Sequence, residues 1–580
     1  MCGINGLYSI NKVREDLKKK FKQSLNLLNF RGPDQKGHFA YNNVLIGNTR
    51  LKINDTNNIQ VPLLYQKRYI ISFNGELINF RELKDLFLKK TEFQTRSDTE
   101  VVVAMYHKFG SNCLKYFNGM FAFAIFDILK NELFLARDKF GIKPLYYYQT
   151  SSFFSFSSEI KSLIKFCKNI KPNISSYDEF IVFGSLAGKK TFYKDVYKLN
   201  PSTYMKIKIK KGKIFKKEKH YNINERRTNF KNKEDTLSFQ KLFKNVINDW
   251  TNSDAKSGIF LSGGIDSSLI LKFCNKKSQP KTFSFYYKKK NPELKKIKYI
   301  LEKNSLRGHI FKFSDTNLYD DIKNYSSLFS QPLHDLGNLS LLKLCKMTRQ
   351  RSKFKVILTG DGADELFAGY KRHFDFQKSN QKRNIILGNN ILSVRRLKLV
   401  KKRKKFNFIT PERLKKFNEI KKKNNLDTIL SYDQTFFLES YLNRSDLCSM
   451  KYGIELRPVF LDLRIFNFAR RLKNSLKIQP LGKKVIQKYF LKKISSHYYG
   501  NKFSFDSNKY YMSAPSEVFF RRKKTEIFFK RFINLKSKIS KFYDIDKIEK
   551  LFKEHRNRIA DHSNFLLRVL SLEIWLKSLD

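Results

Sequence analysis

Acidic residues are scarce in this chain of 580 residues. Asp and Glu number 52 against 116 Lys and Arg, a formal net charge of +64. Such an imbalance attracts polyanions. It also has a plainer source: Phe, Ile, Asn and Lys, all abundant here, have AT-rich codons, while Pro, with GC-rich codons, numbers only 12. Much of the charge is therefore read as genomic bias on a solvated surface, with adhesion to nucleic acid only at low salt and no specific nucleic-acid partner. Cysteine is sparse too. The six (positions 2, 113, 167, 274, 345 and 448) lie far apart with no CxxC pair, which excludes a disulfide scaffold or zinc ribbon and suits a reducing cytoplasm. No run of 18 apolar residues occurs and mean hydropathy is -0.50, so no membrane span is expected. The opening MCGINGLYSI lacks a basic stretch followed by an apolar one, so no secretory leader is expected. What remains is a chain 41% hydrophobic and 29% charged, rich enough in apolar residues for real cores and long enough for two to four domains.

Residues 1–205 read mostly as short strands. YIISFNGEL and GMFAFAIFDI are β-rich apolar runs, and NELFLARD with PLYYY predicts a hairpin edge. Helices are expected over 12–28 and over 98–109, the second behind the cap Ser97–Asp98. The basic, low-complexity stretch 206–235 reads as a linker. From 236 the texture changes: strands GIFL, KTFSFYY, HIFKF and FKVILTG alternate with helical segments, the signature of a parallel sheet flanked by helices. The segment 376–432 lacks a clear period and reads as a solvated surface excursion.

Cys2 follows the initiator Met. Its small side chain permits Met removal, which would place a thiol nucleophile and an α-amine on one residue; that amine has an ordinary pKa of about 7.7–8.0, suited to a general base. MCGI, FRGPDQKG (Phe30 to Gly37), NTRLKI (48–53), FNGEL (73–77) and RSDTE (96–100) follow in order. Together they resemble the class II glutamine amidotransferases, the N-terminal nucleophile amidohydrolases. The resemblance implies Cys2 as nucleophile, Arg50 as partner of the glutamine α-carboxylate, Asp98 with Glu76 nearby for its ammonium, and Asn74 with Gly75 as the oxyanion hole. Ile78 stands where the family has Tyr.

SGGIDSS (Ser262 to Ser268) lies between a predicted strand and helix. Two glycines let backbone close on an anion, and serine hydroxyls with a helix N-terminus can donate to it. Asp266 would act through Mg²⁺. The Walker pattern GxxxxGK[ST] is absent, and the motif resembles the PP-loop of ATP pyrophosphatases. TGDGADELFAGY (359–370) resembles the asparagine synthetase motif SGxGxDExFxGY, and SMKYGIELRPVFLD with LGKKVIQK resembles that family's later blocks. By that match ATP contacts Leu261, Ser262, Gly263, Gly264, Asp266, Ser267, Phe285, Thr359 and Gly360. Mg²⁺ would sit on Asp266 and Asp364, Asp361 by the reacting carboxylate, and Lys484 at the adenylating phosphate. Glu455 and Arg457 belong to the same blocks and are read toward the acceptor. Departures are Pro458–Val459 for Val–Pro, Gln487–Lys488 for Leu–Arg, and residues 330–342, where only Pro332 and Asp335 of the family's acceptor segment persist.

The resemblance, over about 1–500, implies a glutamine-hydrolysing asparagine synthetase. Its expected architecture is an αββα sandwich of two antiparallel sheets (2–205), a linker (206–235) and an α/β parallel-sheet PP-loop domain with a helical C-terminal part (236–580). The substrates would be glutamine, ATP with Mg²⁺, and a carboxylate acceptor, aspartate favoured, with a homodimer left open. A uronic acid of a surface polysaccharide is the alternative acceptor. A basic polyanion-binding protein on a degenerate scaffold is the reading from another class.

Overall fold

The computed structural model describes residues 2–55, 57, 59–222, 236–274, 280–287, 292–314, 317–373, 390–402, 409–423, 425–481, 484–505 and 516–579. Twelve strands build the N-terminal half: β1 (Cys2–Ser9), β2 (Gln35–Tyr41), β3 (Val44–Arg50), β4 (Leu63–Tyr65), β5 (Tyr69–Leu77), β6 (Gly119–Asp127), β7 (Glu132–Arg137), β8 (Tyr146–Gln149), β9 (Phe153–Ser157), β10 (Val196–Lys198), β11 (Thr203–Lys210) and β12 (Lys213–His220). They form two six-stranded sheets, β10-β8-β9-β1-β3-β2 and β12-β11-β7-β6-β5-β4. Every paired neighbour runs antiparallel.

Alternation along the strands gives each sheet two apolar faces. Ile4, Val44 and Ile46 of one sheet meet Ile70, Ala122, Ala124 and Leu133 of the other in a shared inner layer. The outer face of the first sheet packs Leu7 and Leu45 against Leu17 and Phe21 of the helix Glu15–Asn26. The outer face of the second packs Phe73, Phe121 and Phe123 against the helix Asp98–Phe109, which Ser97 caps by accepting from the Thr99 amide. The result is the expected αββα sandwich.

The second half centres on β13 (Ser257–Phe260), β14 (Lys281–Tyr286), β15 (His309–Lys312), β16 (Val356–Thr359) and β17 (Glu455–Pro458). Their order is β15-β14-β13-β16-β17, all parallel. Helices Ile265–Phe273, Pro292–Lys303 and Leu336–Arg351 fill the connections, as the alternating texture predicts. An antiparallel pair, β18 (Ile478–Leu481) and β19 (Lys484–Gln487), leads into the helix Tyr489–Phe505. No helix among the described residues is long and apolar enough to cross a membrane.

Three expectations are corrected. Residues 206–220 are not linker: β11 and β12 pair from Thr203↔His220 to Lys210↔Lys213. Lys211 and Gly212 both take positive φ, 46° and 67°, the two-residue hairpin turn that glycine at its second position favours. β12 is a sheet edge with both faces wet, so its sequence KIFKKEKH shows no apolar alternation; its lysines guard the edge. Only 223–235 of the expected linker remains, outside the described residues. Second, NELFLARD and PLYYY do not pair, since β7 and β8 belong to opposite sheets. Third, the described parts of 376–432 are not a solvated excursion. Leu397, Val400 and Ile420 are fully buried. Arg413, 0% exposed, bonds Glu179 at 2.7 Å on the helix Tyr177–Phe183. The lysine-rich lettering hides short helices that each keep one apolar stripe.

The two halves meet through buried charge. The helix Glu439–Met450 offers Glu439 to Arg137 at 2.8 Å and Lys198 at 2.7 Å, and Asp446 to Arg31 at 2.6 Å and Lys143 at 3.7 Å. Asp462 accepts from Asn118 of the first half and from the Trp250 indole.

Candidate active sites

The register of β1 against β3 sets Cys2 opposite Arg50. Gly32 of the RGPD loop presses on the same strand: a Cβ there would lie 2.3 Å from the Arg50 nitrogen, so only glycine fits. The Cys2 backbone N–H donates to Asn74 Oδ1 at 3.2 Å, and the Cys2 carbonyl accepts from Arg31 Nε at 3.2 Å. Burial pushes the Cys2 thiol up, opposed by the positive chain terminus, by the Leu51 amide that donates to the sulfur, and by Arg50.

Asn74 is 0% exposed, and among the described residues its Nδ2 has no hydrogen-bond partner. A buried donor without an acceptor is costly unless something else supplies one. Gly75 follows with no room for a side chain; a Cβ would lie 2.1 Å from the Met120 oxygen. Asn74 Nδ2 and the Gly75 backbone are thus the donor types an oxyanion hole requires.

Arg50 is held by oxygens rather than by a carboxylate. It donates to Gln35 Oε1 at 3.1 Å and to the carbonyls of Asn57, Asn54 and Asp55 at 2.9, 3.1 and 2.5 Å. Among the described residues no carboxylate pairs with it, which leaves its charge for a ligand. Asp98, at the start of its helix, accepts from the Leu77 amide at 2.8 Å. Burial lifts its carboxyl to about 6.

Glu76 differs from expectation. Its carboxylate turns to Arg457 at 3.0 Å and to the Asn54 amide rather than standing free for a substrate ammonium. Burial raises it, and Arg457 opposes the rise. Arg457 also holds Glu455 at 2.5 Å and the Trp250 carbonyl at 2.6 Å. Arg457 and Glu455, read from the sequence as acceptor residues, therefore lie against the glutamine side of the interface.

In the second half, β13 and β16 are adjacent and parallel, so the loops 261–264 and 360–362 leave the same carboxyl edge, where α/β sheets bind ligands. Gly263 takes φ +77°, and Ser262, Gly264 and Ser267 knit the turn: Ser262 Oγ lies 3.1 Å from Ser267 Oγ and accepts from the Gly264 amide at 3.3 Å. Leu261 binds back to β14 through the Phe283 carbonyl, and Phe285 is buried further along that strand. The Gly360 Cα packs on Asp266, where a Cβ would approach its Cβ to 2.9 Å. Thr359 Oγ1 donates to Asp361 at 2.9 Å. Burial raises Asp361 to about 6, with Asp364 and Asp266 adding to the rise.

Asp266 and Asp364 converge on one cation. Lys488 Nζ lies 2.6 Å from Asp266 Oδ2 and 2.8 Å from Asp364 Oδ1. The carboxylates raise the lysine despite its burial. Two carboxylates that share one cation fit Mg²⁺, which takes one or two protein oxygens and completes its shell with phosphates and water. No cluster of three metal-ligating side chains occurs among the described residues. Lys484 begins β19, the strand that leads to Lys488. The sequence reading passed over Lys488 by treating it as a departure at the family's Arg, although a cation persists there.

The expected acceptor segment also carries a pairing. Asp335 caps the helix Leu336–Arg351 and holds Arg444 at 2.6 Å and His334 at 3.3 Å. Arg444 lies over the Tyr441 ring at 4.1 Å, and Tyr441 is raised chiefly by Asp361.

Two family models match the chain. The glutamine amidotransferase domain matches residues 1–222, and asparagine synthase matches residues 238–577. A Bacillus subtilis protein named asparagine synthetase [glutamine-hydrolyzing] 1 is 28% identical, over 99% of this chain and 96% of its own. Escherichia coli asparagine synthetase B [glutamine-hydrolyzing] is 27% identical over 64% of this chain and 65% of its own. A Methanocaldococcus jannaschii protein, provisionally named a second glutamine-hydrolyzing asparagine synthetase, is 32% identical over 65% of this chain and 76% of its own. With a glutamine amidotransferase half and an ATP-utilising half in that order, the chain belongs to the glutamine-hydrolysing asparagine synthetase family.

Proposed function

We propose that the chain makes asparagine from L-aspartate, with glutamine as nitrogen donor and ATP as the activating substrate. The observation that carries the first half is the pairing of Cys2 with Asn74, whose buried Nδ2 has no partner among the described residues. Once Met1 is removed, the amine of Cys2 takes the proton of its own thiol, and the thiolate attacks the glutamine amide carbon. Asn74 Nδ2 and the Gly75 N–H hold the oxyanion. Arg50 binds the α-carboxylate and Asp98 the ammonium. The C–N bond breaks, ammonia leaves, and water releases glutamate from the thioester.

In the second half an oxygen of the acceptor carboxylate displaces pyrophosphate from the α-phosphorus of ATP. Ammonia then attacks the acyl carbon and releases AMP. Asp266 and Asp364 would hold Mg²⁺, which neutralises phosphate charge when bound. By the family match the main chain of 261–264 would cradle the leaving pyrophosphate, and Lys484 would meet the α-phosphate. An amino-acid acceptor needs a cation and an anion; Arg444 and Asp335 are of both types, paired with each other at 2.6 Å in the resting chain, and would part to receive it.

One observation favours a second acceptor. Leu336–Gly337–Asn338 stand where the family has small hydroxyl residues, and the buried Oδ1 of Asn338 has no partner among the described residues, so it could accept from a sugar hydroxyl. The test is substrate competition with ATP, Mg²⁺ and glutamine. Pyrophosphate and AMP release should respond to L-aspartate and ignore simple uronic acids at equal concentration. Release driven by a uronic acid alone would replace the acceptor. ADP and phosphate as products would refute the PP-loop chemistry.

A further inference from the structure

Lys488 Nζ occupies the point where Asp266 and Asp364 converge, 2.6 and 2.8 Å from their oxygens. Its side chain is 7% exposed and theirs only 20% and 16%, so without a cation two poorly hydrated carboxylates would face one another. The backbone is arranged for the lysine. Lys488 takes φ +51°, a left-handed conformation that costs a non-glycine residue energy, at the junction of β19 and the helix Tyr489–Phe505. Gly369 opens the channel for its stem; a Cβ there would lie 2.3 Å from Lys488 Cε and 1.8 Å from Asp364 Oδ1.

We propose that Lys488 is a resident counter-ion: its ammonium holds the metal position closed until nucleotide arrives, then yields the carboxylates to Mg²⁺ and moves onto the phosphates. The proposal rests on the reading of Asp266 and Asp364 as metal ligands. A lysine suits the handover. Its ammonium is a compact point charge on a rotatable stem, whereas the planar fork of an arginine grips carboxylates bidentately. Metal without phosphate must displace the ammonium and compensate it nowhere. Metal with ATP offers the ammonium a new anion, so productive binding is favoured over binding of either alone. Lys488 acts here as a positioning residue for the metal.

The experiment measures Mn²⁺ alone, by electron paramagnetic resonance and calorimetry, on the full chain as wild type, Lys488→Met, Lys488→Arg and Asp266→Asn/Lys488→Met. Lys488→Met should bind Mn²⁺ at least tenfold more tightly than wild type, because its ammonium no longer competes for the carboxylates. Lys488→Arg should not gain affinity, and the double variant should lose the gain. With a non-hydrolysable ATP analogue and saturating Mn²⁺, Lys488→Met should bind nucleotide about tenfold more weakly. Thermal melting guards against misfolding: Lys488→Met should melt lower than wild type in chelator and recover with Mn²⁺, as expected if the metal replaces the missing charge. Equal or weaker Mn²⁺ binding by Lys488→Met, or undiminished nucleotide binding, overturns the counter-ion role and leaves the metal site standing. A gain that survives Asp266→Asn, or no Mn²⁺ binding by any variant, overturns the metal site and the proposal together.

Discussion

Replacing Asn74 by Ala should separate catalysis from stability, because its two polar atoms have opposite standing in the resting protein. Oδ1 accepts the Cys2 N–H at 3.2 Å, a hydrogen bond worth about 0.5–1.5 kcal/mol net. Nδ2 is a buried donor with no partner among the described residues, a burden of about 1–3 kcal/mol. Truncation removes both, so the two effects offset to within about 2 kcal/mol and the fold should survive. In the transition state only Nδ2 matters, and losing one oxyanion donor costs about 10²–10³ in rate. The assay compares two nitrogen sources in one preparation. Glutamate release from glutamine should fall about 10²–10³-fold, while pyrophosphate release with ammonium chloride stays within about twofold of wild type. Glutamine hydrolysis within threefold of wild type would refute the assignment of Nδ2. An equal fall with both nitrogen sources would show that Asn74 serves the fold instead.

Two further outcomes follow from the buried charges. Asp446→Ala removes the carboxylate beside buried Lys143 and one of the two that hold Arg31, which keeps Glu159, and breaking such a pair typically costs about 3–5 kcal/mol, read as a lower denaturant midpoint; a shift under 1 kcal/mol would show the interface to be wet. Asp98 must be ionised to hold a substrate ammonium, and burial raises its carboxyl from 3.8 to about 6, so kcat/KM for glutamine should fall as pH drops through about 6. Asp98→Asn should lower kcat/KM at pH 7 and remove that acidic limb; a limb that persists belongs to another group.

The parts of the sites legible in the sequence were those where chemistry and backbone geometry demand one residue type at one spacing. Cys2, Asn74 and Gly75 meet because β1 and β5 face each other across the sandwich. Ser262, Asp266 and Asp364 meet because β13 and β16 are neighbours. What escaped was decided by packing between distant segments. Arg457 and Glu455 lie in a synthetase motif, but Arg457 is spent on Glu455 beside it and on Glu76 of the other half. β12 has no apolar period because its pairing is main-chain. The helices within 376–432 bury single stripes beneath a lysine-rich surface. Among 116 Lys and Arg, composition alone could not distinguish Lys488, with its buried ammonium, from its solvated neighbours.

The helix Glu439–Met450 also bears on the order in which the protein can be born. Lys198 waits for Glu439, which lies 241 residues downstream, and Arg31 waits for Asp446, 415 residues downstream. At a synthesis rate of about 5–20 residues per second, the first of these gaps alone lasts roughly 12–50 s. Throughout that interval Arg137, Lys143 and Lys198 of the N-terminal half lack Glu439 and Asp446, while Arg31 has only Glu159. The charges that lock the halves together thus stay only partly neutralised until the helix Glu439–Met450 has been made, and the lock cannot close before then.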